Sequence, residues 1–261
     1  MGQAVAELRF VTQSENRAKV LDIVSEEGPI ERAAVESRLD VSHRTVVRVV
    51  NSLEERGYLR EADGPLRLTP LGTHVADGVD AFRTRAGTAL DFAPLLRHAP
   101  PAFRSLPLEG LADGELLVAS DVDPFGILDR ILSLRADATR IREVAPGVQR
   151  ESIDQLAARV QGDEDIDVEV VIPQRASDVA ESRAEYRDGH AATVESDAVD
   201  VYVHPDRISF FAGVMDDTAA VAVSKEGRPH ALAVSDDPDL LATVESMFET
   251  YRDESTQKTG D

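Results

Sequence analysis

The stretch from Ser42 to Tyr58 combines hydrogen-bonding side chains with a regular apolar pattern. Arg44, Arg48 and Asn51 are spaced so that a helix would present them on one face. The opposite face of that helix would be apolar, formed by Val46, Val49, Val50 and Leu53. In the major groove of DNA an arginine can donate two hydrogen bonds to guanine, and an asparagine can pair in the same way with adenine. The pattern therefore predicts a helix that reads base edges.

Helix-ending signals define the limits of this element. Ser42 can cap its first turn, and Gly57 can end it with a left-handed residue. Thr45 and Ser52 flank the polar face. The predicted DNA contacts on this helix are Ser42, His43, Arg44, Thr45, Arg48, Asn51 and Ser52.

Segments on both sides predict the rest of a small domain. Upstream, one helical stripe (Val20, Ile23, Val24) stops at Gly28-Pro29, and a second is formed by Ile30, Ala34, Val35 and Leu39. Downstream, residues 58–60 and 66–68 are strand-like runs around the turn 61–65, which contains Asp63-Gly64. We expect Arg60 and Arg67 of this hairpin to contact phosphates.

The combination resembles the winged helix-turn-helix regulators of the ArsR, MarR and TrmB type found in archaea. The resemblance is carried by the run Leu53 to Leu59 and by Leu68-Thr69-Pro70-Leu71-Gly72. It implies that double-stranded DNA is a partner. A winged helix that serves only as a protein contact is the alternative.

Acidic residues dominate the composition. Forty-nine Asp and Glu oppose 28 Lys and Arg, so the net charge is −21, and only Lys19, Lys225 and Lys258 are lysines. Such charge is tolerated where salt screens it, because the Debye length is about 3 Å near 1 M salt. The composition favours a halophilic archaeal source.

The acid excess is confined to one part of the chain. Residues 1–72 hold 10 basic against 12 acidic residues, whereas residues 73–261 hold 18 against 37. The predicted DNA-binding segment is therefore close to neutral. Because counterion release gains little in concentrated salt, more of the binding must come from base contacts and shape.

Several classes of site lack their residues. There is no cysteine, the six histidines show no metal-binding spacing, and no phosphate-binding glycine loop or Gly-x-Ser-x-Gly motif occurs. The acidic run 163–167 lacks the glycine and glutamate of a calcium loop and is interpreted as a solvated turn. We expect no catalytic residue, metal or cofactor, no membrane span, and a cytoplasmic location.

Residues 73–110 predict a helical connector. An apolar stripe at alternating spacings of four and three favours a homodimer seam: Val75, Val79, Phe82, Ala86, Ala89, Ala93 and Leu96. Gly78, Gly87 and Pro94 argue against one long helix, and the stripe could instead lie on the second domain.

Residues 111–252 predict a second, α/β domain, and 253–261 a disordered tail. Strand-like runs at 116–119, 139–144 and 168–172 alternate with helical segments, which implies parallel pairing. Four further runs lie between residues 199 and 234, before a last helix at 239–251. The predicted fold is a winged helix-turn-helix domain followed by an α/β domain with a mixed, partly parallel sheet.

With this half included, the chain is similar to archaeal winged-helix regulators that carry a methanogenesis-regulator middle domain. The marks are 111–116, 121–128, 201–204 and 232–238, within a match from about residue 16 to 252. The resemblance implies a transcription regulator whose second domain senses a signal or mediates assembly. Pro205-Asp206 after His204 departs from the motif of phospholipase D, a distantly similar fold, so that chemistry is not expected.

A small-molecule effector would bind beyond the carboxyl ends of the parallel strands. Those ends are predicted at Ser120-Asp121, 145–147 and Pro173-Gln174, where helix N-termini favour an anion. An adaptable lining could come from Tyr202, His204, Phe210, Phe211 and Met215, each equally explained as core. The alternative function is an enzyme or metabolite-binding protein whose winged helix contacts other proteins.

Overall fold

The computed structural model describes residues 2–61, 64–162 and 164–258, divided into two compact units, Met1–Gly87 and Thr88–Asp261. Ala62 and Asp63 of the predicted wing turn, Asp163 of the acidic turn, and the last residues of the predicted tail lie outside the described residues. The functional boundaries at residues 72, 110 and 252 stay a prediction. None of the described helices is long and apolar enough to cross a membrane.

The first unit consists of helices followed by a short hairpin. Its elements are α1 (Gly2–Thr12), α2 (Glu15–Glu27), α3 (Arg32–Arg38), α4 (His43–Glu54), β1 (Leu59–Glu61), β2 (Leu66–Leu68) and the start of α5 (Pro70–Asp91). As predicted, the apolar face of α4 is buried in the core of this unit. Gly57 ends the α4 segment with a φ of 72°, which a residue with a side chain rarely adopts.

One local prediction for this unit requires correction, and one helix was not predicted. Ile30 does not begin the second helical stripe. It forms an antiparallel bridge with Leu66, in which the Ile30 N–H donates to the Leu66 carbonyl at 3.1 Å and the reverse bond is 2.8 Å. The bridge adds a third member to the hairpin sheet. Helix α1, which we did not predict, buries Val11 in the same core.

The junction between hairpin and α5 explains the Leu68 to Gly72 motif. The Thr69 hydroxyl donates to the Gly57 carbonyl at 2.5 Å and accepts the Gly72 N–H at 3.0 Å, so it caps the new helix. Pro70 occupies the first helical position, where its missing N–H costs nothing. A Cβ on Gly72 would lie 1.9 Å from the Tyr58 carbonyl oxygen, so only glycine fits there.

The predicted dimer seam does not exist as a continuous stripe. Val79 is 4% exposed and belongs to the core of the first unit, whereas Phe82 is 54% exposed. Helix α5 ends at Asp91, and a separate short helix, α6 (Ala93–Leu96), follows. The heptad-like spacing combined residues that serve different packing surfaces.

The second unit is an eight-stranded mixed sheet with helices on both faces. After two 3-10 turns (Pro101–Ser105 and Glu109–Leu111) its elements are β3 (Glu115–Val118), α7 (Gly126–Ala136), β4 (Arg140–Val144), α8 (Arg150–Gln161), β5 (Asp167–Pro173), α9 (Gln174–Ser182), α10 (Ala184–Val194), β6 (Val199–His204), β7 (Phe210–Met215), β8 (Thr218–Lys225), β9 (Arg228–Ser235), α11 (Pro238–Asp253) and β10 (Thr256–Gln257).

The strand order is β10-β6-β5-β4-β7-β8-β9-β3. β4 and β5 pair in parallel, as predicted; β6 also pairs in parallel with β5, which we did not predict, and the other pairings are antiparallel. β3 corrects one expectation, because it lies at the sheet edge against β9 and has no parallel neighbour. α11 and the segment 92–111 cover one face, and α7 to α10 cover the other.

Candidate nucleic-acid interface

The helix-turn-helix is formed by α3 and α4. Asp40, with a φ of 42°, lies in the turn between them. Ser42 caps α4, since its hydroxyl accepts the Thr45 N–H at 3.4 Å and lies 3.0 Å from the Thr45 hydroxyl. The structure therefore assigns Ser42 and Thr45 a local role in starting the helix at the point where a major-groove helix meets DNA.

Arg44 and Arg48 are exposed on the polar face of α4. Within the described residues neither pairs with a carboxylate. Arg38 on α3 differs, because it lies 2.5 Å from Glu27 of α2. Two guanidinium groups without intramolecular partners are thus available to base edges or phosphates.

Other members of the predicted set are already engaged within the unit. The amide oxygen of Asn51 accepts a 3.3 Å hydrogen bond from Arg32, whose guanidinium also lies 2.6 Å from Glu61. Ser52 donates to the Val49 carbonyl at 2.7 Å. The amide nitrogen of Asn51 forms no hydrogen bond within the described residues, and Arg32, which we did not predict, fixes the orientation of its side chain.

Two further contacts hold predicted residues in place. His43 Nδ1 lies 2.6 Å from the Glu36 carboxylate, which links the start of α4 to α3. Ser52 also accepts a 3.3 Å bond from Arg17 Nε. Burial, together with the charges of Arg56 and Arg48, lowers the pKa of Arg17.

The hairpin places two like charges directly opposite each other. Arg60 and Arg67 are register partners in the antiparallel pair β1–β2, and both are exposed. Opposite residues in such a pair have Cβ atoms about 4.5–5.5 Å apart, and like charges there repel. Neither arginine pairs with a carboxylate within the described residues. An anion bound between them would relieve the repulsion.

Helix α1 is attached to the base of the hairpin. Glu7 lies 2.5 Å from Arg56 and accepts a short hydrogen bond from the Tyr58 hydroxyl. Burial and this hydrogen bond raise the pKa of Tyr58 to about 12. The guanidinium groups of Arg17 and Arg56 lie 3.9 and 4.0 Å from the Phe10 ring centre. These cation–π contacts hold Phe10 of α1 against α2 and against the segment that follows α4.

In the second unit a cleft of about 920 Å³ lies beyond the carboxyl ends of β4 and β5. Two of the three predicted strand ends line it, 145–147 and 173–174. Ser120 and Asp121 do not, because β3 is separated from β4 by three strands. We call this cavity the strand-end cleft.

The other predicted ligand residues are dispersed in the packing of the second unit. Phe210 packs edge-to-face against Phe103 on the α11 side, whereas Met215 is buried on the α7 side. Tyr202 packs on the α11 side, and His204 is buried beside Tyr251. Only Phe211 of that predicted lining faces the strand-end cleft.

Two protein families match this chain, one over most of each structural unit. Residues 124–254, half of the chain, match the middle domain of the methanogenesis regulatory protein FilR1. The chain belongs to this family. Residues 5–91 match the family described as the HVO_A0261 N-terminal domain. The family resemblance predicted from the motifs is thereby confirmed.

Comparison with curated protein sequences finds no significant match. Among solved structures, the chain is similar to TrmBL2, described as an archaeal chromatin protein with a novel mode of DNA binding. The identity is 11% and the TM-score 0.43, with 98% of this chain and 100% of that chain covered. A likeness of this degree supports no conclusion about function.

Proposed function

We propose that this member of the FilR1 middle-domain family is a sequence-specific, DNA-binding transcription regulator. In this proposal α4 reads the major groove and the β1–β2 hairpin contacts the adjacent phosphates. The second unit binds a small-molecule effector. The family match to a regulatory protein and the helix-turn-helix geometry support the assignment.

The observation that carries the proposal is the distribution of unpaired arginines. The chain has 49 carboxylate side chains for 28 basic ones, so most arginines should find a carboxylate. In the first unit Arg32, Arg38, Arg56 and Arg83 do so. Within the described residues, those that form no ion pair while lying exposed on α4 and the hairpin are Arg44, Arg48, Arg60 and Arg67.

Their placement matches the division of labour in DNA recognition. Arg44 and Arg48 lie on the helix that would enter the groove, whereas Arg60 and Arg67 lie on the hairpin. Base-edge contacts specify sequence, and phosphate contacts position the protein. Keeping these guanidinium groups free of carboxylates avoids the loss of an internal ion pair on binding.

The test begins with chromatin occupancy in the source cell at native salt, which yields a candidate operator. Replacing Arg44, Arg48 or Asn51 with Ala should then each weaken operator binding by about 1–3 kcal/mol. Arg38→Ala is the matched control, because that arginine is also exposed but pairs with Glu27. Fluorescence anisotropy with operator and scrambled duplexes measures the difference.

Equal operator affinity of Arg44→Ala, Arg48→Ala and the parent would remove these residues from base readout. Diffuse chromatin occupancy without discrete promoter peaks would favour the alternative, in which the winged helix contacts another protein. The arginine variants distinguish the two, because only base readout makes their effect depend on the DNA sequence.

We further propose a homodimer that uses the exposed side of α5. One recognition helix reads only a few base pairs, so two on half-sites about 10 bp apart give useful specificity. Leu71 and Phe82 are 55% and 54% exposed, and with Val75 and Gly78 they follow spacings of four, three and four. Leu71 and Phe82 are both large apolar side chains that remain exposed on α5, as does Leu90 further along the helix.

The exposed positions allow a clean test of the dimer. Leu71→Asp with Phe82→Asp should split it without disturbing the core, whereas Val79→Asp would place a charge in the buried core of the unit. Light scattering at native salt reports the mass. A monomeric parent, or a double variant that remains dimeric, would place the contact elsewhere.

A further inference from the structure

The strand-end cleft has the size and composition of a ligand site. Its volume of about 920 Å³ lies within the usual range of about 300–1,000 Å³ for small-molecule pockets. Apolar side chains from α7, α9 and the sheet line much of it, among them Ile127, Ile131, Val179 and Phe211. The lining predicts a ligand with an apolar body.

Two helices begin at this cleft without a side-chain cap. α8 starts after Gln149 and α9 after Pro173, and neither N-terminus has a side-chain acceptor for its first N–H groups within the described residues. Several other helices also lack a side-chain cap, whereas Ser42 caps α4 and Asp237 caps α11. Uncapped N–H groups and the positive end of the helix dipole together favour an anion.

A buried guanidinium supplies an independent observation. Arg135, in the last turn of α7, lines the cleft although only 4% of its surface is exposed. Its Nε and Nη2 donate to the Glu143 carboxylate at 2.9 and 2.6 Å. Its Nη1 is buried and has no hydrogen-bond partner within the described residues. A buried donor in this state costs free energy that an acceptor in the cleft would recover.

The remaining charges around the cleft define how much negative charge it accepts. Arg175 and Arg207 line it, are exposed, and form no ion pair within the described part of the chain. Asp206 and Glu226 line it as well. The cleft is therefore locally balanced, although residues 73–261 hold 37 acidic against 18 basic residues. One negative charge fits this balance better than two.

We propose that the strand-end cleft binds an organic carboxylate with an aliphatic or aromatic body. The carboxylate lies at the N-termini of α8 and α9, within reach of the unpartnered nitrogen of Arg135, and the body lies on the apolar lining. Because Glu143 already neutralises Arg135, the buried pair adds no net positive charge to the cleft, which favours a singly charged carboxylate over a doubly charged phosphate. The inference rests on the proposed effector-binding role of the second unit.

Isothermal titration of the full chain without DNA, at fixed KCl, tests the ligand class. The probes are hexanoate and phenylacetate, with hexanamide and hexyl phosphate as matched comparisons. We expect at least one carboxylate to bind about tenfold or more tighter than hexanamide, as a charge-assisted hydrogen bond would give. No binding of either carboxylate, or equal or tighter binding of the amide or the phosphate, would overturn the assignment.

Variants locate the site. Arg175→Glu with Arg207→Glu changes only exposed rim residues and should weaken the bound carboxylate about tenfold or more. Arg104→Glu, an exposed arginine on the α11 side, is the matched control and should leave affinity unchanged. Equal affinity in the rim variant and the control would place the carboxylate elsewhere.

Testing the role of Arg135 in ligand binding requires a variant that still folds. Arg135→Met with Glu143→Met removes both partners of the ion pair, which apolar residues of similar size often replace without loss of stability. The double variant should lose the preference for hexanoate over hexanamide while retaining the melting transition. Retention of that preference would exclude Arg135 from the site and overturn the proposed geometry.

The outcome is separable from that of the DNA-binding proposal. Carboxylate binding without operator binding would support this site and contradict the proposed regulator. Operator binding without any carboxylate binding would leave the regulator in place and overturn this inference.

Discussion

Arginine serves opposite purposes in the two units of this chain. In the second unit Arg135 and Glu143 form a buried pair, 4% and 2% exposed, between α7 and β4. In the first unit Arg44 and Arg48 project from α4 and meet no carboxylate within the described residues. The same side chain stabilises a buried core in one unit and remains without an ion pair in the other.

Within the described residues, pairing with a carboxylate distinguishes arginines that stabilise the fold from arginines that stay free to bind an external partner. A guanidinium that binds an internal carboxylate has already exchanged its hydration for protein contacts. One that stays exposed and unpaired retains its full capacity for bases or phosphates. Predictions that move an arginine from one class to the other test this distinction.

The largest effect is expected from breaking the buried pair. Arg135→Ala would leave Glu143 without a partner at 2% exposure, which should lower the free energy of unfolding of the second unit by about 3–5 kcal/mol. Urea denaturation at fixed KCl measures it. Arg135→Met with Glu143→Met should recover most of the loss, and an equal loss in single and double variants would mean that the charge is not the cause.

A smaller loss of stability is expected at Gly72, where the packing leaves no space for a side chain. Gly72→Ala puts a Cβ against the Tyr58 carbonyl and should cost about 1–3 kcal/mol, with a parallel loss of operator binding because the hairpin shifts. Gly78→Ala, on the same helix with nothing within 4 Å of its Cβ, should instead stabilise by about 0.5–1 kcal/mol. Similar effects at both sites would contradict the packing argument.

Helix α4 and the Ile30–Leu66 bridge show which features of the structure can be predicted from the sequence. The limits of α4, its buried face and the glycine at its end follow from local periodicity and capping within about 16 residues. The Ile30–Leu66 bridge does not, because its partners are distant in sequence and local pattern reads Ile30 as helical.

The dispersal of the predicted ligand residues was missed for a related reason. All six residues of β7 are buried, since helices cover both faces of the sheet, so alternation could not separate Phe210 from Phe211. Arg135 looked like an ordinary arginine in the last turn of a helix. Its role depends on Glu143, whose burial on β4 appears only once the strands are paired.

The next largest effect is that of salt, which should stabilise the two units to different extents. Residues 88–261 carry an excess of 19 acidic residues (35 minus 16), whereas residues 1–87 carry an excess of only 2 (14 minus 12). Screening therefore stabilises the second unit more, and we expect its melting temperature to rise by several degrees toward molar KCl, equivalent to about 1–2 kcal/mol. Calorimetry measures this. A flat or falling melting temperature would contradict the halophilic interpretation.

The smallest expected effects are the stability changes on removing one unpaired and one paired arginine, and these two changes have opposite signs. Arg67→Ala removes a like charge opposite Arg60, so the free protein should gain about 0.2–1 kcal/mol of stability at low salt. Arg38→Ala removes an exposed ion pair with Glu27 and should lose about 0–1 kcal/mol. On DNA the order inverts: Arg67→Ala should weaken binding to all sequences and reduce the salt slope by about one, whereas Arg38→Ala should do neither. Chemical denaturation and salt-dependent anisotropy, performed on the same two variants, provide both measurements. If Arg67→Ala destabilises the free protein or leaves the salt slope unchanged, Arg67 has a structural partner and the hairpin does not hold charge in reserve for phosphate.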